Sequence, residues 1–456
     1  NLLLSKQYVR KLRDDEKPLG TVDMFAVAEA RKKRRRRIGH TVTVNDCLGK
    51  ETLQNLSLPT KTSQVAQSLS GSVGLLFDFA AYYDGFVLAE KVQPFFCFRQ
   101  GGATYCLTRM AMGQRQGVEV AKAATSVIMD SAGLPAEACI DNVRYVGRSI
   151  PEVVAAGRSF IDRCNLVNVK INDLDQHKVT DADLANMCSS KHTWLGITHD
   201  LVRKQLAVGD SALSKLETIR AAVREPAKAL DVAALYGSLF FVSSVLRLNL
   251  GKRFGALKFF RSFSKDLTED PGRWTQGVHV PLSTLRDLDE WCAEAKKNIP
   301  VSMDNPDDAF DWIIAVDASA WGWGAVALNT RTGVVHVASV AWSDHDKATM
   351  NVGVSTEVEP EAAYRALCRF VRPGNSALIL TDNMATCAAI NKGYSASFAV
   401  NRAANRIRSG FASSKIVAQH IAGVNNPADG SSRGVEVCLE EVGEAIRQHV
   451  GVTSAA

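Results

Sequence analysis

The sequence lacks any C-x-x-C pair among its ten cysteines, which argues against zinc-binding motifs and against a disulfide framework. We therefore expect reduced, mostly buried thiols of an intracellular protein, in the cytoplasm or the nucleus. The sequence also lacks an apolar run near the roughly 18 residues that a membrane span requires, and no secretory signal opens it. These absences predict that the protein has no membrane partner.

Internal repeats and long low-complexity segments are missing as well, and the chain does not begin with Met. Because the first residue is Asn1, we expect a fragment or a processed piece of a longer polyprotein. The chain has 456 residues, of which 46% are hydrophobic and 22% charged. This is the composition of a globular protein with two or three domains.

Positive charge is concentrated at the start of the chain. Residues 1–70 contain 14 Lys or Arg against 7 Asp or Glu, although the whole chain has a net charge of only +6. Most of the excess is the unbroken basic run 31–37, which leads into the alternating, strand-like stretch 38–44. Such a run is often a solvated tail or a nuclear-import signal. A basic strand that enters the fold beside metal-binding carboxylates, however, suits phosphate contact better.

Four segments differ in their residue patterns. Residues 1–200 mix short strands and helices, an α+β pattern, whereas residues 201–300 show mainly helical periodicity. Pro, Asn and Asp between positions 298 and 308 predict a linker. Residues 308–435 predict an α/β domain with a mixed five-stranded sheet, and residues 436–456 a terminal helix and tail. The predicted strands of that domain are 312–317, 324–328, 334–342, 377–380 and 415–419, with helices at 355–370, 384–392 and 398–408.

Two carboxylates stand beside short apolar runs in the first segment. Asp78 follows the apolar run 75–77, and Asp141 stands with Asn142 at the tip of a predicted β-hairpin. Carboxylates at strand ends can hold a pair of divalent metal ions, the machinery of nucleotidyl transfer. The alternatives are an ordinary turn dipeptide at 141–142 and a helix N-cap at Asp78.

With these motifs, residues 31–200 resemble the fingers and palm of a retroelement reverse transcriptase of the DIRS and VIPER type. The stretch 77–84, Phe-Asp-Phe-Ala-Ala-Tyr-Tyr-Asp, is similar to the first catalytic motif of that family. The resemblance implies that Asp78 and Asp141 bind two Mg²⁺ ions, for which Mn²⁺ can substitute. It also implies that Tyr83 senses the ribose of the incoming nucleotide. Tyr82 is adjacent, and core packing alone would also account for a tyrosine at this position.

Other substrate-binding positions follow from the same resemblance. The loop 110–117 resembles the glycine-bearing motif that supports template and nucleotide, which implies contacts from Gly113, Gln114 and Arg115. Asn142 stands where the family usually has a second aspartate, and an amide coordinates Mg²⁺ weakly without adding negative charge. Arg36, within the basic run, resembles the residue that binds the triphosphate.

The helical segment 201–270 resembles the thumb of such a polymerase. Basic residues alternate there with aromatic residues, which suits a nucleic-acid grip, although phenylalanines at helical spacing are more often core. We assign the grip to Lys252, Arg253, Lys258 and Arg261. A hairpin around Trp194 resembles the primer grip, and a core tryptophan is an equally good interpretation.

Four acidic positions in residues 308–435 come in an order that suits one shared cluster: Asp317, Glu359, Asp382 and Asp429. With their flanking residues they resemble the ribonuclease H domain of retroelements over residues 311–434. The resemblance implies that these four acids bind two Mg²⁺ ions and hydrolyse an RNA phosphodiester. Glu357 and Glu361 compete for the helix position, and we prefer Glu359 because its spacing to Ala362 fits the E-x-x-A pattern of the family.

Together the resemblances imply an RNA-directed DNA polymerase fused to a ribonuclease H, from a retroelement polyprotein. The implied partners are an RNA template, a DNA primer, an RNA/DNA hybrid, deoxynucleoside triphosphates and other products of the polyprotein. Asn142, and Cys139 in place of a common aromatic, support an alternative. In that hypothesis the chain is domesticated or polymerase-inactive and binds RNA as a scaffold of a ribonucleoprotein, with at most the nuclease retained.

Overall fold

A computed structural model describes residues 2–29, 34–47, 58–129, 134–224, 226–304 and 309–450. The chain divides into two compact units, residues 1–205 and 206–456. Much of the basic run 31–37 lies outside the described residues. Arg36 is in the strand Arg34–His40 opposite Val27, but its side chain is outside the described part of the structure, so its predicted role stays a prediction.

The first unit mixes short strands and helices, as its pattern predicts. Its strands are Val9–Lys11, Asp23–Glu29, Arg34–His40, Val73–Asp78, Cys97–Gln100, Ala103–Leu107, Ala136–Cys139, Asn142–Gly147, Lys191–Trp194 and Ile197–Asp200. Its α-helices are Leu2–Ser5, Val42–Cys47, Lys61–Leu69, Gly117–Met129, Ile150–Leu166 and Asp181–Met187, with 3₁₀ turns at Tyr82–Gly85 and Glu90–Phe95.

A three-stranded antiparallel sheet supports the predicted catalytic hairpin. Its strand order is Val73–Asp78, Asn142–Gly147, Ala136–Cys139, and Asp78 lies opposite Asn142 in the register. Alternate residues Leu75 and Phe77 are buried, because successive side chains of a strand point to opposite faces. The sheet therefore buries one face and delivers Asp78 and the 140–141 turn at one end.

One local prediction in this unit is wrong. The stretch 38–44 does not continue as a strand, because the strand ends at His40 and the helix Val42–Cys47 follows. The hydroxyl of Thr43 donates to the carbonyl of Thr21 (2.7 Å), and the Asn45 amide donates to the carbonyl of Gly113 (2.9 Å). These contacts with distant segments override the strand preference of β-branched residues.

The first part of the second unit is mainly helical. Its α-helices are Asp210–Ala222, Ala229–Leu246, Phe254–Glu269 and Leu282–Lys296, with short strands at Gln205–Val208, Ala227–Lys228, Gly277–Val278 and Val301–Ser302 and 3₁₀ turns at Leu250–Arg253 and Pro271–Thr275. The indole of Trp291 donates to the hydroxyl of Ser243 (2.7 Å), and the Tyr236 hydroxyl donates to the carbonyl of Ala256 (2.8 Å). These buried hydrogen bonds fix the packing of the helices.

The helix Ala229–Leu246 corrects the expectation that no apolar run is long enough to span a membrane. Among the described residues, this one helix is long and apolar enough to span a membrane. Half of it is nevertheless buried within the fold, where it packs against Asp210–Ala222 and Leu282–Lys296. Core helices commonly have this composition.

A mixed five-stranded sheet follows, as predicted. Its order is Val335–Ala341, Gly322–Asn329, Trp312–Ala318, Ala377–Thr381, Ile416–His420. The first three strands pair antiparallel and the last two join in parallel. The helices of this region are Asp344–Thr349, Ser355–Phe370, Met384–Lys392, Phe398–Gly410, Asp429–Ser432 and Leu439–Val450, with a 3₁₀ turn at Gly423–Asn425.

The central strand of this sheet is buried on both faces. Ile314 and Val316 pack on the side of the helix Ser355–Phe370, whereas Ile313 and Ala315 pack on the side of Leu439–Val450. Burial on both faces explains why this strand is a nearly continuous apolar run. It also places Asp317, at the end of the strand, where the apolar core stops.

Two candidate acidic sites

Three carboxylates meet at one end of the five-stranded sheet. Asp317 is the second-to-last residue of the strand Trp312–Ala318, Asp382 directly follows the parallel strand Ala377–Thr381, and Glu359 projects from the helix Ser355–Phe370. One oxygen of each lies within 4.8 Å of the others. We call these three residues the acidic cluster.

Two members of the acidic cluster are shielded from solvent, and Asp382 is partly exposed. Asp317 is 6% exposed and Glu359 is 7% exposed. Burial, with the charges of Asp317 and Asp382, raises the pKa of Glu359 to about 8. Burial also raises the pKa of Asp317, against the opposing effect of the Ser432 hydroxyl. Crowded carboxylates without a cation resist ionisation in this way.

A divalent cation fits this arrangement. The Oε2 atom of Glu359 is buried and has no hydrogen-bond partner, and an unpaired buried carboxylate oxygen is costly. Carboxylate oxygens are the ligands that Mg²⁺ prefers. The acidic cluster could therefore hold a metal ion, and the described residues contain no second group of three or more such ligands.

The structure distinguishes the three glutamates of the helix. Glu357 accepts a hydrogen bond from the backbone N–H of Asn351 (2.8 Å). Glu361 forms ion pairs with Arg365 (2.9 Å) and Arg406 (2.6 Å). The carboxylates of Glu357 and Glu361 therefore bond to residues outside the acidic cluster. Glu359 alone of the three belongs to it.

Asp429, the fourth predicted ligand, is outside the acidic cluster. It begins the short helix Asp429–Ser432, is half-exposed, and pairs with Arg433 at 2.7 Å. Its charge still contributes to the raised pKa of Asp317. The structure thus assembles three of the four predicted acids and leaves Asp429 at the edge.

Ser432 is a site residue that the sequence prediction missed. Its hydroxyl donates to Oδ2 of Asp317 at 2.5 Å. Gly324 makes this approach possible, because a Cβ atom there would lie 2.3 Å from the backbone nitrogen of Ser432. The contact joins positions more than 100 residues apart, so no local pattern in the sequence indicates it.

The first unit brings two carboxylates together. The backbone N–H of Phe79 donates to the carbonyl of Asp141 (2.9 Å), so that Asp78 and Asp141 lie at neighbouring strand ends. Asp141 lies in the turn after Ile140, whose φ of 58° is left-handed. The hairpin is thus confirmed. We call Asp78 and Asp141 the acidic pair.

Each member of the acidic pair accepts a hydrogen bond from an amide side chain. Asn142 Nδ2 donates to Asp141 Oδ1 (2.8 Å), and Asn172 Nδ2 donates to Asp78 Oδ2 (3.0 Å). The backbone N–H of Asn172 also donates to the carbonyl of Asp78 (2.6 Å). Asn172 is 94 positions from Asp78, and no local pattern in the sequence identifies it.

The two adjacent tyrosines have different surroundings. Tyr82 is 5% exposed, and its hydroxyl donates to the carbonyl of Ala121 and accepts from Thr125. Tyr83 is half-buried, and a Cβ atom on Gly117 would touch its ring at 3.4 Å. Tyr82 is therefore a core residue, and the ribose-sensing role of Tyr83 stays a prediction.

The loop around Gly113 is held from the helix Val42–Cys47. The Asn45 side chain donates to the carbonyl of Gly113 and accepts from the backbone N–H of Arg115, both at 2.9 Å. Gly113 has a φ of 99°, a conformation that favours glycine. Gln114 is half-buried and Arg115 exposed, and their substrate contacts stay predictions.

Two predicted nucleic-acid contacts need correction. Trp194 is 2% exposed with Arg144 over its ring, so the core interpretation is right. Arg253 is 7% exposed, and its two terminal nitrogens pair with Glu290 (2.8 Å) and Glu294 (2.9 Å). A guanidinium already paired with two carboxylates is not available for a phosphate.

The remaining basic residues of the predicted grip are accessible. Lys252, Lys258 and Arg261 are exposed. Lys258 and Arg261 border a cleft of about 940 Å³ within the second unit. The residues that line it include Phe240, Phe254, Phe260, Tyr394, Phe398 and Lys392, and no carboxylate lines it.

Comparisons with known proteins connect this geometry to a fold. No protein-family model matches the chain, and no curated protein matches it. Solved structures do match. The foamy viral protease-reverse transcriptase dRH in complex with double-stranded DNA has a TM-score of 0.50 at 9% identity, over 91% of this chain and 68% of that chain.

Two further structures of the foamy viral protease-reverse transcriptase give the same result. The complex with an RNA/DNA hybrid has a TM-score of 0.50 at 10% identity, over 91% of this chain and 52% of that chain. A complex with double-stranded DNA has a TM-score of 0.50 at 9% identity, over 92% of this chain and 81% of that chain. The chain therefore has a reverse-transcriptase-like fold with a ribonuclease H-like region, and at these identities the likeness concerns the fold alone.

Proposed function

We propose that this chain is a retroelement reverse transcriptase, of the DIRS and VIPER type, with ribonuclease H activity on the RNA strand of an RNA/DNA hybrid. The observation that carries the proposal is the acidic cluster, in which three carboxylate oxygens lie within 4.8 Å of one another. A purely structural protein has no use for such electrostatic crowding. The proposal places the protein in the cytoplasm or nucleus.

The acidic cluster would hold Mg²⁺, or Mn²⁺ in its place, with Asp429 as a further ligand from the edge. Two bound ions would activate a water molecule and neutralise charge on the scissile phosphate and its leaving oxygen. The contribution of the protein itself is orientation. The Ser432 hydroxyl fixes Asp317, and the Asn426 amide donates to the carbonyl of Val316 (3.0 Å), which ties the Asp429 segment to the central strand.

The acidic pair supports the polymerase half of the proposal. Asp78 and Asp141 would hold the ions of nucleotidyl transfer, with Arg36, Tyr83, Gly113, Gln114 and Asn142 around the incoming nucleotide. Asn172 holds Asp78 from outside that set. Two carboxylates at adjacent strand ends are the minimum that can bridge two metal ions.

The proposed nucleic-acid partners are an RNA template, a DNA primer and their hybrid, with deoxynucleoside triphosphates as substrates. Lys252, Lys258 and Arg261 would contact phosphates, together with Arg115 in the first unit. The aromatic cleft beside Lys258 and Arg261 supports this proposal, because cations for phosphates and rings for bases are the usual elements of a nucleic-acid surface.

A hydrolysis assay on an RNA strand annealed to DNA tests the nuclease. We expect Mg²⁺-dependent cleavage that Asp317→Asn abolishes. The matched control is Glu357→Gln, which removes a carboxylate from the same helix as Glu359 but one that bonds only to the backbone of Asn351. Cleavage that survives Asp317→Asn, or that is lost equally in Glu357→Gln, would contradict the assignment.

A second candidate function is a polymerase-inactive RNA-binding scaffold that retains the nuclease. The observation that favours it is the hydrogen bond from the Asn142 amide to Asp141, which occupies an oxygen that a metal ion would need. Primer extension on an RNA template separates the two functions. Extension by the unmodified chain, lost in Asp78→Asn, supports the polymerase, and RNA binding without extension supports the scaffold.

A further inference from the structure

Two buried cysteines face each other across a hairpin in the first unit. Cys97 and Cys106 are Cα partners in the antiparallel pairing of Cys97–Gln100 with Ala103–Leu107. Their sulfur atoms lie 2.8 Å apart, and both are free thiols. Cys97 is 1% exposed and Cys106 is 0% exposed.

The hydrogen-bonding pattern of the hairpin determines the geometry of this cysteine pair. The backbone N–H of Leu107 donates to the carbonyl of Phe96 (3.0 Å), so the neighbouring pair is hydrogen-bonded. Because such pairs alternate, Cys97 and Cys106 occupy a non-hydrogen-bonded position, where Cα atoms lie about 4.5 Å apart and side chains approach most closely. That separation falls within the range of about 4.4–6.8 Å that a disulfide spans.

We propose that Cys97 and Cys106 are a disulfide-forming modification site whose oxidant is a small disulfide such as oxidised glutathione. One cysteine thiolate attacks a glutathione sulfur, releases one glutathione thiolate and forms a mixed disulfide. The second cysteine thiolate then attacks the protein sulfur of that mixed disulfide and releases the second glutathione. Two electrons and two protons pass from the cysteines to oxidised glutathione, which leaves as two reduced molecules.

Burial slows both the formation and the reduction of this disulfide. It raises the pKa of Cys97 to about 12 and also raises the pKa of Cys106, so the reactive thiolates are scarce at neutral pH. Gly101 and Gly102, at the tip of the hairpin, are exposed, and exchange with a buried thiol requires the hairpin to open. Once formed, the disulfide is protected from reductants by the same packing.

The strand Ala103–Leu107 gives the modification a structural consequence. It is the central strand of a three-stranded sheet, between Val9–Lys11 and Cys97–Gln100, and the chain runs on from it towards the loop around Gly113. A cross-strand bond would fix two of the three strands covalently. The oxidised sheet therefore opens less often than the reduced one, whatever the function of the first unit.

Peptide mapping of the full chain tests the bond directly. Cleavage after Lys91, Arg99 and Arg109 places the two cysteines in separate peptides, 92–99 and 100–109. After equilibration with roughly tenfold more reduced than oxidised glutathione and alkylation of free thiols, we expect these peptides to be linked until a reductant is added. Exposed Cys368 and Cys438 should be alkylated in the same sample.

Two results would overturn the proposal. One is an unlinked pair after equilibration with oxidised glutathione alone, both in buffer and in denaturant too dilute to unfold the chain. The other is linkage of Cys97 to Cys164 as frequent as linkage to Cys106, which would indicate exchange in an unfolded chain.

Hydrogen exchange tests the structural consequence. Oxidation should raise the protection of the hairpin amides between Phe98 and Tyr105 at least about tenfold. The rise should persist in Cys164→Ala, which removes another buried thiol, and vanish in Cys106→Ala. If Cys106→Ala does not fold, hairpin protection is compared between the oxidised and reduced forms of the unmodified chain. Equal protection in the two forms contradicts the proposal.

Discussion

The acidic cluster of the second unit and the acidic pair of the first unit stabilise their carboxylates in different ways. In the cluster, Asp317, Glu359 and Asp382 crowd together, and one oxygen of Glu359 has no hydrogen-bond partner. In the pair, Asp78 and Asp141 each accept a hydrogen bond from an asparagine. Neutral amides stabilise both carboxylates of the pair, whereas in the cluster the Ser432 hydroxyl bonds Asp317 and the unpaired oxygen of Glu359 is left for a proton or a cation.

This contrast has a consequence for metal dependence. The cluster is destabilised by its own charge, so it should gain more from a divalent ion than the pair does. The pair keeps its geometry through backbone and amide contacts. The comparison therefore predicts that the two sites respond differently to substitution, pH and metal.

The largest expected effect is on RNA hydrolysis. Glu359→Gln removes a charge and a ligand oxygen from the acidic cluster, and we expect cleavage of the hybrid to fall at least about 100-fold. Primer extension, if the first unit performs it, should change less than about twofold. Parallel assays of both activities check this separation, and an equal loss of both would show that the sites are not independent.

The next effect concerns stability and pH. The pKa of Glu359 is about 8 in the folded chain, against 4.5 as its ordinary value, so between these pH values the folded state binds more protons than the unfolded state. The free energy of unfolding without metal should therefore fall as pH rises from 5 to 8, by on the order of 2–4 kcal/mol. Denaturant titrations at both pH values measure it.

Glu359→Gln and Mg²⁺ provide the controls for that titration. The substitution should abolish most of the fall, because a neutral amide replaces the group that titrates. Added Mg²⁺ should restore stability at pH 8 in the unmodified chain only. A pH dependence that is the same in Glu359→Gln would refute the account.

A smaller effect is expected when a third carboxylate is added to the acidic pair, which makes it resemble the acidic cluster. Asn142→Asp replaces the amide that bonds Asp141 with a carboxylate, so the charge at the site increases and the hydrogen bond is lost. We expect primer extension in Mg²⁺ to rise about tenfold, because metal affinity grows with ligand charge. Cys139→Ser, a neutral change in the same hairpin, is the matched control, and reduced extension in Asn142→Asp would contradict the expectation.

The smallest effect should act on both sites at once. Lys258→Ala with Arg261→Ala removes two exposed cations beside the aromatic cleft. Affinity for an RNA/DNA hybrid should fall about five- to tenfold near 0.1 M salt, and the salt slope should decrease by about 2. Lys265→Ala, on the same helix but paired with Glu269 at 3.7 Å, should leave the slope nearly unchanged.

Most of the five-stranded sheet of the second unit was predictable from the sequence. Its strands are short apolar runs closed by polar or small residues, and the predicted bounds agree with the structure to within a few residues. Two short helices, Asp344–Thr349 and Asp429–Ser432, were missed because four to six residues are too few to show helical periodicity.

The identity of the metal-binding candidates was only partly predictable. The sequence places Asp78, Asp141, Asp317 and Asp382 at the ends of apolar runs, and strand ends of one sheet meet at its edge. It could not decide among Glu357, Glu359 and Glu361, because that choice depends on Asn351 and Arg406. It also could not exclude Arg253, whose partners Glu290 and Glu294 are 37 and 41 positions away.

The sequence by itself determined which segments form strands and helices, since apolar periodicity and turn residues act over a few neighbouring positions. Only the tertiary structure decided which polar groups meet. Asn172 reaches Asp78 and Ser432 reaches Asp317 through contacts that no local pattern encodes. The physical reason is that hydrogen bonds, ion pairs and thiol contacts require atoms to lie within a few ångströms, and folding alone brings distant positions that close.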